Sequence, residues 1–281
     1  MSEKTKNLVE ALEKGLCEYI QSDKYKDILR VMSKFHSYSF NNSMLILLQR
    51  PQASYIAGYK SWQSNFHRQV RKGAKAIQII SPVKYKTKNE ETGEEGERVG
   101  FRASYVFDIS DTYQIPDLEP IPIGIEDLEG NVENFKDFIS ALEKISPVPV
   151  SYELFDNQNI KGCYYDKDRK IVVQDGMTDR QTVKTLIHEV AHSMLHTKEL
   201  LEKDKKDRKQ RELEAESIAF IVCEHFRIST EDYSFPYIIG WTGEGFQELL
   251  RKSMNTIQKT ADTIICGITN QLTDPTDIRR S

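Results

Sequence analysis

The sequence predicts an α+β fold in two domains, and three observations carry that expectation. The chain has 281 residues, nearly twice the usual ~150-residue domain. Its apolar residues switch more than once between the three-to-four spacing of helices and the alternation of strands. Residues 114–131, QIPDLEPIPIGIEDLEGN, place Pro116, Pro120 and Pro122 close together, which excludes regular structure. The expected division is a domain over 1–115, a linker over 116–131 and a domain over 132–281.

Leu8, Leu12, Leu16 and Ile20 recur every four residues and mark a first helix. Tyr25, Ile28, Leu29, Met32 and Phe35 mark a second, and Asn42 to Gln49 a short third that stops at Pro51. From Ala76 the period changes. AIQIISPVKYKTK and RVGFRASYVFDIS are rich in β-branched and aromatic residues and flank the acidic NEETGEEGE, the pattern of a β-hairpin with a solvated tip. Beyond the linker, Val132, Phe135, Phe138, Ile139, Leu142 and Ile145 form an apolar helix face that Pro147 ends. A second hairpin, GCYY and RKIVVQ around the turn DKD, follows. Thr178 with Gln181 is a capping-box pattern for a helix running to about His196. The polar segment Lys198 to Arg211 is expected to be a mobile connector, with helix resuming from Glu212 to Arg227. A last helix, about 244–265, carries Phe246, Leu249, Leu250, Ile257, Ala261 and Ile264 on one face. There is no internal repeat.

Hydrophobic residues make up 38% and charged residues 29%, a balance that excludes a disordered or membrane-embedded chain. No run approaches the ~18 apolar residues of a bilayer span. MSEKTKNLVE has no apolar signal-peptide core, so a cytoplasmic location without a membrane partner is expected. Cys17, Cys163, Cys223 and Cys266 stand singly, as buried free thiols rather than a metal clamp or a disulfide framework. Residues 1–113 carry 18 basic and 13 acidic groups and the remainder 21 and 30. The first half can therefore meet a polyanion and the second cannot easily do so.

The chemistry lies in His188-Glu189-Val190-Ala191-His192, an HExxH pentad. Residues four apart share a helix face one turn apart, so both imidazoles can converge on one ion. Zinc takes such nitrogens at ~2.0–2.1 Å and keeps an open position for water in catalytic sites. Glu189, rotated by ~100° from His188, places a carboxylate beside that water as general base. A third ligand is needed. His196 continues the row but stands ~12 Å from His188 along the axis, too far for one ion, and is expected behind the ligands or at the helix end. RELEAESIAF offers Glu212, Glu214 and Glu216; the first and last share a face and Glu214 lies ~200° from each. The residues alone leave that choice open, and any glutamate not used is expected to be solvated.

HEVAHSMLH followed by ELEAESIAF resembles the zincin site of the ImmA/IrrE and ArdC type of metallopeptidase domain. The resemblance implies a zincin-like C-terminal fold and a Zn2+ cofactor. It implies Glu214 as third ligand beside His188 and His192, with Ala215 and Ala219 as small packing residues and Glu212 or Glu216 as alternatives. It also implies that Glu189 passes a proton to the leaving amine of a cleaved peptide in an unknown protein substrate, and that the outer edge of GCYYDKDRKIVVQ aligns an extended peptide. The oxyanion donor is open among Tyr164, Tyr165, Tyr233 and Tyr237.

Residues 58–75, GYKSWQSNFHRQVRKGAK, mix aromatic rings with Lys60, Arg68, Arg71, Lys72 and Lys75. Single-stranded nucleic acid is bound by this mixture, cations tracking phosphates and rings such as Trp62 stacking on bases. An equal reading is a core aromatic cluster with a solvated basic turn. SYSFNNSMLILLQRP, AGYKSWQ, RQVRKGAKAIQIISPV and YVFDISDT, in that order, resemble the N-terminal single-stranded-DNA-binding domain of ArdC-type antirestriction proteins, and YIIGWTGEGFQELLRKSMNTIQKTAD extends the resemblance through most of the chain. The chain departs from the pattern at His67, where a glycine is expected, and in the acidic tip. The resemblance implies a mobile-element protein that binds incoming single-stranded DNA and opposes restriction. Two competing expectations are a DNA-coating protein with a purely structural metal and a regulatory protease that cuts a repressor.

Overall fold

The computed structural model describes residues 3–21, 24–88, 95–121, 123, 132–157, 159–230 and 246–272. The chain divides into two compact units, 1–124 and 125–281. The acidic tip at 89–94, linker residues 124–131, and Tyr233 and Tyr237 lie outside the described residues. The architecture is α+β, and no described helix is long and apolar enough to cross a membrane.

In the first unit, α1 (Glu3–Gln21), α2 (Tyr25–Lys34) and α3 (Phe40–Gln49) follow the apolar periodicity. Leu12, Leu16, Ile28, Leu29, Met32 and Ile46 on them are buried. The hairpin β3 (Ile77–Lys88) and β4 (Glu95–Asp108) joins β1 (Ile56–Gly58) in an antiparallel sheet ordered β1-β4-β3. Strand β3 is therefore an edge. Two side-chain amides of α3 cover part of it: Asn42 donates to the Ile80 carbonyl and accepts from the Ile80 N–H, both at 2.9 Å. Gln49 does the same at Gln78, at 2.8 and 2.9 Å. Pro82 then follows with no N–H to offer a pairing strand.

The basic aromatic segment contains structure that composition did not reveal: α4 (Tyr59–Phe66) and β2 (Arg68–Val70), the latter paired with β5 (Thr112–Gln114). Trp62 is fully buried in a small core with Ala57 and Val70, and its indole N–H donates to the Phe107 carbonyl at 2.9 Å. The expectation that Trp62 stacks on bases is corrected by that burial. His67 caps α4 in the left-handed region, φ 52°, which explains why a glycine suits the position. The backbone turns there into β2, and Ile115 N–H donates to the His67 carbonyl at 2.9 Å.

In the second unit, β6 (Val150–Glu153) runs parallel to β8 (Lys170–Gln174), and β7 (Gly162–Tyr165) runs antiparallel to it, in the order β6-β8-β7. Central β8 buries Ile171, Val172 and Val173 in succession, as a strand covered on both faces requires. Of the helices α5 (Val132–Ile145), α6 (Asp179–Leu195), α8 (Arg208–His225) and α9 (Phe246–Leu272), α6 packs on β7, β8 and α8, and α9 packs on α5 and α8. Thr178 caps α6 by accepting from Gln181 N–H. The Gln181 side-chain amide donates to Thr185 Oγ1 one turn on, at 3.1 Å. The expected connector is mostly helical. Thr197 caps α7 (Lys198–Lys203) and Asp207 caps α8, each accepting from the N–H three residues on. Cys223 is buried as expected, Cys163 is half-buried and Cys266 is exposed.

Asp108 ends β4 and is 2% exposed. It accepts from Ser54 N–H, Tyr55 N–H, Ser110 N–H and Ser110 Oγ–H, at 2.8, 3.2, 3.0 and 2.6 Å. Burial pushes its carboxyl pKa up, but those hydrogen bonds outweigh it and hold the group below its ordinary value. Asp108→Ala leaves the Ser54, Tyr55 and Ser110 N–H groups without this acceptor and is expected to cost about 1–3 kcal/mol, read as a lower urea midpoint. Because the folded pKa is depressed, this stability is present above the ordinary carboxylate range and is lost as pH falls through the folded value. The gap between wild type and variant should therefore close in acid, and a gap constant down to pH 2 would contradict the assignment.

Candidate functional site

The pentad lies in the last half of α6, where Val183, Leu186, Ile187, Val190 and Ala191 are fully buried and anchor the helix. Opposite, α8 buries Leu213, Ala215, Ile218 and Ala219. This packing turns the face shared by His188 and His192 toward the face shared by Glu212 and Glu216. The two Nε2 atoms lie 3.0 Å apart, and Glu212 Oε2 is 3.6 Å from His188 Nε2 and 3.9 Å from His192 Nε2. Among the described residues, His188, His192 and Glu212 form a group whose ligand atoms all lie within 4.8 Å of one another. A tetrahedral ion with bonds of ~2.0–2.1 Å separates its donor atoms by ~3.3 Å, so this donor set fits one divalent cation.

Glu214 is not brought to that group. It points the other way from α8, is 0% exposed, and its Oε2 lies 3.0 Å from His196 Nε2 and 2.7 Å from Lys206 Nζ. Its Oε1 accepts from Gln210 Nε2 at 3.3 Å and Ser253 Oγ at 2.9 Å. Glu216 is not solvated either; Oε2 is 3.2 Å from His188 Nδ1, and Oε1 is 3.5 Å from Lys184 Nζ. His196, the residue that ends α6, places Nδ1 2.8 Å from His192 Nδ1.

Glu189 stands beside the group, 8% exposed, with Oε2 accepting from Tyr164 N–H on edge strand β7 at 2.7 Å. That approach depends on Gly162. A Cβ there would lie 2.5 Å from Thr185 Cγ2, 3.0 Å from Glu189 Cγ and 3.3 Å from Glu189 Oε1. An open groove of about 760 Å³ exposes the group, with β7 on one side and Arg208 and Arg211 of α8 among its lining. Tyr164 and Tyr165 both line it; the Tyr164 hydroxyl donates to Asp166 at 2.8 Å, and Tyr165 carries Lys170 over its ring.

Burial lowers the basicity of His188, yet hydrogen bonds to Glu212 and Glu216 outweigh it and raise the pKa to about 9. For His192 burial dominates and, with the neighbouring imidazoles, pushes it down to about 4 despite Glu212. Glu212 is held far below the ordinary range by hydrogen bonds from both histidines. Glu189 moves the other way: burial raises its pKa, only partly offset by His188 and the Tyr164 N–H. One carboxylate is thus kept ionised facing the imidazoles while its neighbour is made more basic, as a ligand and a general base require.

In the first unit, Lys60, Arg71, Lys72 and Lys75 are exposed, whereas Arg68 is half-buried and its Nε donates to Thr112 Oγ1 at 2.7 Å. Among the exposed rings of this unit, Tyr59 and Tyr113, 50% and 42% accessible, belong to the basic segment and to the strand paired with it. Tyr59 Oη accepts from Gln69 at 2.7 Å, Gln69 pairs with Tyr113 across β2 and β5, and the Arg71 guanidinium lies 5.7 Å from the Tyr113 ring centroid. These two tyrosines replace Trp62 as the flat surfaces beside the cations. Tyr59 lay inside the aromatic stretch of the sequence, but nothing distinguished its exposure from that of Trp62; Tyr113 lay outside it. Gly162 carried no local signal, because its neighbour Thr185 is 23 residues away.

Residues 1–107 match the N-terminal domain of anti-restriction factor ArdC, and residues 144–232 match the IrrE N-terminal-like domain. An uncharacterized protein of Bacillus anthracis is 27% identical over 98% of this chain, which spans 53% of that protein. Two crystal structures of the antirestriction ArdC protein from the R388 plasmid share the fold. The metal-free one has a TM-score of 0.55 at 19% identity, covering 82% of this chain and 85% of that one. The Mn(II)-bound one has 0.52 at 16%, covering 90% and 100%.

Gly162→Ala is expected to cost about 1–3 kcal/mol by overpacking against Thr185. Adding Thr185→Ser, which removes Cγ2 and keeps the hydroxyl, should recover part of it in a double-mutant cycle. Strictly additive effects would show that the close approach does not constrain the site.

Proposed function

The chain carries the two domains of the ArdC type, an ArdC N-terminal domain followed by an IrrE N-terminal-like domain, and from that premise we propose a metal-dependent peptidase recruited to single-stranded DNA in opposition to restriction. The observation that carries the peptidase half is the convergence of His188, His192 and Glu212 on one point with Glu189 beside it. The proposed ligand set is those three residues, with Glu212 replacing Glu214. Two imidazoles and a carboxylate suit zinc, the proposed ion, and also Mn(II). When bound, such an ion lowers the pKa of a coordinated water and polarises a carbonyl.

The chain's own residues supply the remainder. Glu189 is held by Tyr164 N–H through Oε2, which leaves Oε1 to take the water proton and deliver it to the leaving amine. The raised pKa of Glu189 suits both transfers. Edge strand β7 lines the groove, which favours an extended peptide lying alongside it. Glu189→Gln is expected to retain one metal ion per chain and to lose at least about 100-fold in peptide cleavage, the scale of a lost general base. His188→Ala should lose both. Cleavage that survives Glu189→Gln would remove the peptidase mechanism, and antirestriction that survives it would favour protection of DNA by binding alone.

For the first unit, the proposed contact surface is Tyr59, Tyr113, Arg71, Lys72, Lys60 and Lys75. Tyr113→Ala is expected to weaken single-strand binding by about 1–3 kcal/mol through lost stacking. Arg71→Glu with Lys72→Glu should lower both affinity and the slope of log affinity against log salt. An unchanged slope in an isotherm series from 50 to 200 mM salt would move the site elsewhere.

A further inference from the structure

We infer that His196 and Glu214 are positioning residues for His192, forming a buried hydrogen-bonded chain that holds its Nε2 lone pair toward the metal position. This rests on the metal-centre reading above. Glu214 is an acceptor with no donor of its own when ionised. Four donors surround it: Lys206 and His196 at Oε2, Gln210 and Ser253 at Oε1. Lys206 can only donate, and its charge balances the carboxylate. His196 Nε2 must therefore carry the hydrogen it directs at Glu214.

A neutral imidazole has one donor and one acceptor nitrogen. With Nε2 donating, His196 Nδ1 accepts, and the atom 2.8 Å away is His192 Nδ1. His192 is thereby the Nδ1–H tautomer, and its free lone pair is on Nε2, the atom that faces His188 Nε2 and Glu212 Oε2. The reverse arrangement, with a hydrogen on His196 Nδ1, would put the His192 hydrogen on Nε2 and disable the ligand. The other ligand is oriented by a shorter route, since His188 Nδ1 lies against Glu216, which Lys184 holds. Burial separates this chain from an incidental surface cluster: His196 is 5% and Glu214 0% exposed, and such groups are costly to bury unless fully paired. Partners behind a metal-bound histidine fix its tautomer and ring orientation.

The test uses the full chain and zinc. His196→Phe keeps a ring of similar breadth without nitrogens, and His196→Asn keeps an acceptor where Nδ1 stands. Competition against a chelator should show zinc affinity about 10–100-fold weaker in His196→Phe and within a few-fold of wild type in His196→Asn. The visible absorption of the Co(II)-substituted protein should change in the first variant only. In unsubstituted protein, long-range 15N–1H correlation should give His196 as the Nε2–H form and His192 as the Nδ1–H form. Unchanged zinc affinity and Co(II) spectrum in a folded His196→Phe, or an Nδ1–H form of His196, would overturn the inference. If His196→Phe does not fold, the tautomers of the unsubstituted protein decide. Wild type that takes up no zinc, Co(II) or Mn(II) would instead overturn the metal-centre reading, and the metal-free tautomers would still decide the chain.

Discussion

Helices α6 and α8 pack against each other, and Val190 and Ala191 on one and Ala215, Ile218 and Ala219 on the other are all fully buried. Every polar contact of the proposed centre inherits its geometry from that packing. Side chains on a helix repeat every 3.6 residues, so the apolar strip that glues the pair also fixes which polar residues face each other beside it. With Ala215 and Ala219 turned into the contact, Glu212 and Glu216 come out on the side of His188 and His192. Glu214 comes out on the side where α6 ends, toward His196 and Ser253 of α9. The alternation of glutamates in RELEAES thus serves three different histidines.

Assembling three histidines and four carboxylates in a largely buried volume would be prohibitive if each were desolvated alone. The pairing offsets that cost in a regular way. Glu214 is neutralised by Lys206 and Glu216 by Lys184, so the two carboxylates behind the imidazoles are balanced locally. Glu212 has no Lys or Arg partner among the ion pairs of the described residues and depends on the imidazoles. Of the three glutamates on α8, the one without a Lys or Arg counterion among the described residues is therefore the one that faces both His188 and His192. Glu189, next to it, responds to the same burial by becoming more basic.

Much of this was legible in the sequence. The apolar periodicities gave α1, α2, α3, α5, α6 and both hairpins, because burial of one face dictates spacing regardless of partner. HExxH identified its own helix and face, since both partners lie on one element. Glu212 was not separable from Glu214, because the answer depends on which face of α8 packs on α6, a tertiary fact. The polar stretch 198–211 is mostly helical despite its charge, because Thr197 and Asp207 carry the side chains that start helices. The burial of Trp62 is likewise not encoded in local composition. A ring among lysines and arginines has the same composition whether it faces solvent or core, and only Phe107, 45 residues away, supplies the carbonyl that satisfies its indole N–H.

The electrostatics of the metal-free chain show how such a centre stays assembled without its ion. Hydrogen bonds to Glu212 and Glu216 raise the basicity of His188, while burial lowers that of His192, so His188 is the imidazole favoured to hold a proton. Their Nε2 atoms are 3.0 Å apart, which places His188 Nε2–H against the lone pair of His192 Nε2. That proton occupies the point at which the proposed ion would sit, and it is drawn there by the same Glu212 carboxylate. Uptake of the proposed ion would exchange that proton for a cation between residues already in place, and would be favoured as pH rises. Little reorganisation is asked of α6 or α8, whose positions are set by the apolar contact beneath them.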